Sequence, residues 1–182
     1  MVDLWPQILL TPMQSKIARV ASVLAILYGI PVPLAYKIVL VMMTDALDHQ
    51  VQFNNDMLEY DINDKISDIL GYGILLYYIL SHGGLPKRYN TMLVATFVYR
   101  LVGQMLFHRT KDRRYLFIFP NIFLLLSLTL VALHSLPQGK HQFVAIGLVV
   151  VGKFVHEMYH HIPRQWIVSK IKENEHIQAG YD

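Results

Sequence analysis

The feature that most constrains this chain is how its apolar residues are gathered. They fall in blocks of roughly 15–22 residues, each bounded by proline, glycine or clustered charge, and a helix needs about 20 residues to cross the ~30 Å hydrocarbon core of a bilayer. Of the 182 residues 54% are hydrophobic and only 16% charged, where a soluble domain carries about 25% charged residues. The first block runs from Ser15 to Ile30 and is closed by Pro31 and Pro33. The second runs from Pro33 to Asp48, and the third from Asp61 to Ser81, stopped by Gly83, Gly84 and Pro86. The fourth covers Asn90 to Phe107, the fifth Tyr115 to Leu136 before Pro137-Gln138-Gly139, and the sixth His141 to His160. The expected fold is therefore all-α: a polytopic integral membrane bundle of about six transmembrane helices, residues 1–182 forming one transmembrane domain. Residues 1–15, with Trp5, Ile8 and Leu9, read as an interfacial segment, and residues 163–182 as a charged cytoplasmic tail.

Charge fixes the expected orientation. Six spans put both termini on one side, with Lys16, Arg19, Lys65, Arg109, Arg114 and Lys170 among the cations there. The opposite side holds Lys87, Arg88 and Lys140. Basic residues accumulate in cytoplasmic loops, so a multi-pass protein with both termini cytoplasmic is expected. Asp3 and Pro6 interrupt any signal-peptide pattern. The absence of cysteine excludes disulfides and thiolate zinc sites. A dispersed net charge of +3 gives no basis for binding nucleic acid.

Seven of the 13 acidic residues lie between Asp45 and Asp68. Asp45 and Asp48 are three apart at the end of the second block, and Asp64 and Asp68 four apart at the start of the third, so each pair shares one helix face. Antiparallel helices joined by the polar stretch His49–Asn63 would bring the pairs together. A carboxylate in a span costs about 2.5–3.5 kcal/mol, a helix C-terminus disfavours anions, and four carboxylates repel one another. A divalent cation answers all three objections, and oxygen ligands favour Mg²⁺, Mn²⁺ or Ca²⁺ over zinc. The bland reading, a solvated loop with its flanks, suits Asp56, Glu59 and Asp61 better than the other four.

Thr44-Asp45-Ala46-Leu47-Asp48, followed by Asp64-Lys65-Ile66-Ser67-Asp68, resembles the signature of the CDP-alcohol phosphatidyltransferases, D-x-x-D-G-x-x-A-R and then G-x-x-x-D-x-x-x-D. The chain departs from that pattern: His49 stands at the first glycine, Val51, Gln52 and Phe53 occupy the A-R region, Tyr60 stands at the second glycine, and the intervening loop is shorter. A second register starts at Asp61. The resemblance implies a six-helix membrane fold and transfer of a phosphatidyl or related phosphoalcohol group from a CDP-linked lipid donor to a hydroxyl acceptor, with CMP released. It implies Mg²⁺ or Mn²⁺, one or two ions, on Asp45, Asp48, Asp64 and Asp68, with Asp68 as catalytic base and Asp61 in the alternative register. Thr44, His49 and Lys65 would then border the substrate. Arg100, Arg109 and Arg113 are candidates for its phosphates, although positive-inside anchoring also explains Arg109 and Arg113. Arg100 and Lys153 are deep cations, expected to meet substrate or a buried acid. Homodimerisation stays open. A non-catalytic membrane scaffold of the same fold is the alternative.

A rival constellation closes the sixth block: His156-Glu157-Met158-Tyr159-His160, an H-E-x-x-H pattern that on a helix can seat a metal with the glutamate as base. An intramembrane metalloenzyme would need a third ligand or further histidine boxes, and the isolated His49, His82, His108 and His134 supply none. A histidine cluster at the membrane interface explains the same residues.

Overall fold

A computed structural model describes residues 12–51, 57–112, 114–137 and 139–156, and the ordered elements among them are all helical. They are α1 (Pro12–Leu24), α2 (Leu34–Val51), α3 (Met57–His82), α4 (Lys87–Thr110), α5 (Arg114–Ile118), α6 (Phe123–His134) and α7, residues 140–156.

The turns follow from local chemistry. Pro12 opens α1, where its missing N–H costs nothing. α1 widens into a π-turn over Ala25–Gly29 and stops at Ile30, which is extended because Pro31 follows. The carbonyl of Pro33 then accepts from the amides of Tyr36 and Lys37, launching α2. α3 is closed by the Gly83 amide donating to the Ile79 carbonyl at 2.8 Å, and Gly84 takes a left-handed conformation that glycine adopts without strain. At the end of α4, Lys111 adopts the same left-handed cap and its amide donates to Phe107 O at 2.7 Å.

Two sequence expectations need correction. His49–Asn63, expected as a polar loop, is largely helical: α2 continues to Val51 and α3 restarts at Met57. Met57, Leu58 and Glu59 are good helix formers, and Glu59 falls in a first turn where the macrodipole favours anions. The fifth block is not one helix, because Pro120 lacks the amide that would continue the ladder, so α5 and α6 are separated at residues 119–122. Gly103 of α4 packs against that break: a Cβ there would lie 2.6 Å from Phe119 Cγ and closer still to its Cβ.

The chain alternates direction, so one end of the bundle holds the start of α1, the ends of α2 and α4 and residue 156. That end is called the first end, and the other the far end. Between them lies an apolar core. Leu27, Ile38, Leu75, Ile79, Leu93 and Leu130 are fully buried. α1 lies against α3 and α2, α4 against α3, α5 and α6, and α6 against α2. Ile146, Val150 and Phe154 of α7 cover the remaining side.

The exterior is unusual. On α4, Val94, Val98, Val102 and Met105 are exposed while Arg100 and Gln104 are buried. On α7, Phe143, Leu148, Val151 and Val155 are exposed while Gln142 is buried. Of the described segments, Arg114–His134, 21 residues, is the one long and apolar enough by itself to cross a membrane.

Candidate functional site

The strongest concentration of buried charge is at the first end, and it is built around Arg19. Because α1 lies against both α2 and α3, a side chain on its inner face reaches carboxylates on each. Arg19 is 6% exposed. Its Nη2 donates to Asp68 Oδ1 at 2.6 Å and also to Asp45 Oδ1. Asp68 is buried at 3% exposure, whereas the Asp45 side chain keeps about a third of its surface open (31%). Lys65, one turn before Asp68 on α3, places Nζ 3.6 Å from Asp68 Oδ2. One turn after Asp68, the Tyr72 hydroxyl donates to Asp45 Oδ2 at 3.2 Å and accepts from Asn121 Nδ2 at 2.6 Å. Asn121 sits in the gap that Pro120 opens between α5 and α6.

A continuous polar chain therefore runs Asn121, Tyr72, Asp45, Arg19, Asp68, Lys65. The formal charges of Arg19 and Lys65 balance those of the two aspartates. Charge-assisted bonds of this kind are stronger than neutral ones, and each charge would be costly to bury alone.

Asp45 also borders a cleft of about 390 Å³ between α2, α6 and α7, which Met42, Asn121, Leu124, Leu125, Lys153 and His156 line. Its walls are mostly apolar, and Asp45, Asn121, Lys153 and His156 are the polar residues of its lining.

The expected site residues fall as follows. Asp45 and Asp68 meet at one guanidinium. The side chains of Asp48, His49, Asp61 and Asp64 lie outside the described ones, as do Arg113, Glu157 and His160. Thr44 Oγ1 donates to the Val41 carbonyl within its own helix at 2.8 Å. Arg109 is exposed. Arg100 is buried, but its Nη1 donates to the carbonyls of Phe119 at 2.6 Å and Leu116 at 3.4 Å, so it caps the broken helix and not an acid. Arg19, Tyr72 and Asn121 carry the network without having been singled out as site residues. Arg19 lies inside the first block, four residues from its start, where the sequence reads it equally well as a positive-inside charge.

A divalent ion fits this arrangement poorly. Both Oδ1 atoms face the Arg19 guanidinium, Asp45 Oδ2 holds the Tyr72 hydroxyl, and Asp68 Oδ2 faces Lys65. Among the described residues, no group of three or more carboxylate or imidazole side chains gathers closely enough to hold a metal.

The far end buries polar groups differently. Lys37, 7% exposed, donates from Nζ to the Leu27 carbonyl at 2.6 Å and the Tyr78 hydroxyl at 2.8 Å. That carbonyl belongs to the π-turn, where the helical ladder is disturbed. Tyr78 in turn stacks on His82 at 4.7 Å. Gln142 of α7 accepts from Tyr89 at 2.9 Å and donates to the Leu133 carbonyl at 3.1 Å, tying α4, α6 and α7 together.

No family model, curated protein or solved structure matches this chain.

Proposed function

We propose that the chain is a multi-pass integral membrane protein of six spans with both termini cytoplasmic, and that its first end carries a helix-binding charge network of a non-catalytic membrane scaffold. The observation supporting the membrane reading is the inverted burial: apolar stripes face outward on α4 and α7 while Arg19, Asp68, Arg100 and Gln104 face inward. Intramembrane polar side chains turn to the bundle interior and pair there, whereas exposed apolar stripes of this length are rare on soluble monomers. A topology reporter after Gln138 is expected to read extracytoplasmic, and one after Lys111 cytoplasmic. The reverse pattern, or full extraction by alkaline carbonate, would refute the reading.

The scaffold reading is supported by the seat of Arg19 between the two aspartates, where a metal-dependent transferase would need an ion. Its expected result is no CMP release from CDP-diacylglycerol with Mg²⁺ or Mn²⁺ and any acceptor.

The second reading is phosphoalcohol transfer from a CDP-linked lipid donor to a hydroxyl acceptor. One observation favours it: Asp45 opens on a cleft large enough for a headgroup, with Lys153 and His156 on its wall. Turnover with any acceptor would establish this reading and remove the scaffold. A metal that survives Asp45→Asn but is lost on His156→Gln would instead favour the histidine-based metalloenzyme.

A further inference from the structure

Buried polar atoms in a helical bundle almost always have a partner, and where no protein group supplies it, water does. Five of the buried side-chain atoms lacking a partner among the described residues lie on α4: Asn90 Oδ1 in its first turn and, in its second half, Arg100 Nε, both amide atoms of Gln104, and His108 Nε2. Arg100, Gln104 and His108 are spaced four apart, which puts them on one face of the helix. Gln104 is fully buried and Arg100 nearly so, so Gln104 forfeits every hydrogen bond its amide can make, an arrangement costly in a low-dielectric interior.

The surroundings of this face are fixed at both ends. At its inner end Arg100 holds the carbonyl of Phe119, two residues before Asn121, whose amide donates to the Tyr72 hydroxyl. At its outer end His108 lies in the last turn of α4, just before the Lys111 cap. Asp68 lies one turn before Tyr72 on α3, which packs against α4.

We infer that α4 lines a water-filled inlet, running from His108 at the first end past Gln104 to Arg100 and Tyr72, which brings the buried charge network into contact with bulk water. The ligand of this site is a short file of water molecules. Gln104 can both donate to and accept from such a file, and His108 and Arg100 terminate it.

The absence of native cysteines makes the inlet directly testable. Single variants Gln104→Cys, Ile79→Cys, Val98→Cys and Arg109→Cys would be treated with silver ion, small enough for a narrow aqueous path, and the remaining thiol titrated after denaturation. Gln104→Cys should lose its thiol on the timescale of the exposed Arg109→Cys, while Ile79→Cys, fully buried in the apolar core toward the end of α3, stays intact. An intact thiol at Gln104→Cys, or equal loss at Ile79→Cys, overturns the inlet. Val98→Cys reports the membrane reading separately: it faces outward, so protection there means lipid and reaction means water, whatever Gln104→Cys does. The unsubstituted protein gives a second readout. Tyr72 and Tyr89 are both 2% exposed, yet radiolytic hydroxyl labelling should oxidise Tyr72, at the inlet, and spare Tyr89, which lies at the far end of α4 away from it. Equal labelling of the two contradicts the inference.

Discussion

At the first end of the bundle Arg19 is held by carboxylates from two other helices; at the far end Lys37 is held by a backbone carbonyl and a tyrosine hydroxyl. Both cations are more than nine-tenths buried. The difference lies in what each removal leaves behind. Without Arg19, Asp68 stays buried with Lys65 as its remaining described cation, at 3.6 Å. Without Lys37, the remaining groups are neutral, and the Tyr78 hydroxyl can turn elsewhere. A network of opposite charges binds helices strongly and fails badly, while neutral anchoring is weaker and fails gently.

The largest effect that could break this comparison is expected from Arg19→Met. Removing the guanidinium that two carboxylates share breaks a buried ion network, which should cost about 3–5 kcal/mol, read as a fall in the denaturation midpoint in detergent. A loss no greater than that of Lys37→Met would erase the contrast between the two ends. Gly103→Ala comes next. It drives a methyl into Phe119, beside the break that positions Asn121, and overpacking of this kind costs about 1–3 kcal/mol. The accompanying loss of the Asn121–Tyr72 bond would appear as altered Tyr72 absorbance or fluorescence, whereas a change in stability alone would mean that the break tolerates the shift.

Lys37→Met should cost only about 1–2 kcal/mol, because its loss leaves one carbonyl and no charge unsatisfied. The smallest effect belongs to the surface pair Asp112–Arg114, which belongs to neither buried network. Arg114 bonds hold the Asp112 carboxyl below the ordinary carboxylate range. A lowered folded value contributes stability above the unfolded pKa of about 3.9, lost as pH falls through the folded value. Asp112→Asn should therefore cost little at neutral pH, near the limit of detection for so exposed a pair, and that small difference should disappear below about pH 4. A clear loss at pH 7 would mean that this exposed pair does more than the geometry shows.

Much of the architecture was legible in the sequence because its punctuation is strong. Pro31 and Pro33, the Gly83-Gly84-Pro86 stop and Pro137 each fall where a helix ends. Pro120 was the exception: long apolar runs on both sides masked a break that the residue itself demands. The π-turn at Ala25–Gly29 carries no local signal. Asp45 and Asp68 stood out because carboxylates among apolar residues are costly, but their partner did not. Arg19 reads equally well as one more positive-inside charge, and only the packing of α1 against both α2 and α3 turns it inward. The same cost that singled out the acids suggested a bound ion; at Asp45 and Asp68 a guanidinium from the neighbouring helix supplies positive charge.

The most direct test of this account is a double-mutant cycle on Arg19→Met and Asp68→Asn, followed by reversible unfolding in detergent with and without Mn²⁺. If Arg19 is the counter-ion of Asp68, the double variant should recover much of the loss of Arg19→Met. The coupling should be about 2–3 kcal/mol, and Mn²⁺ should not shift any of the four midpoints. Effects that add within about 0.5 kcal/mol, together with stabilisation of the wild type by Mn²⁺, would contradict it.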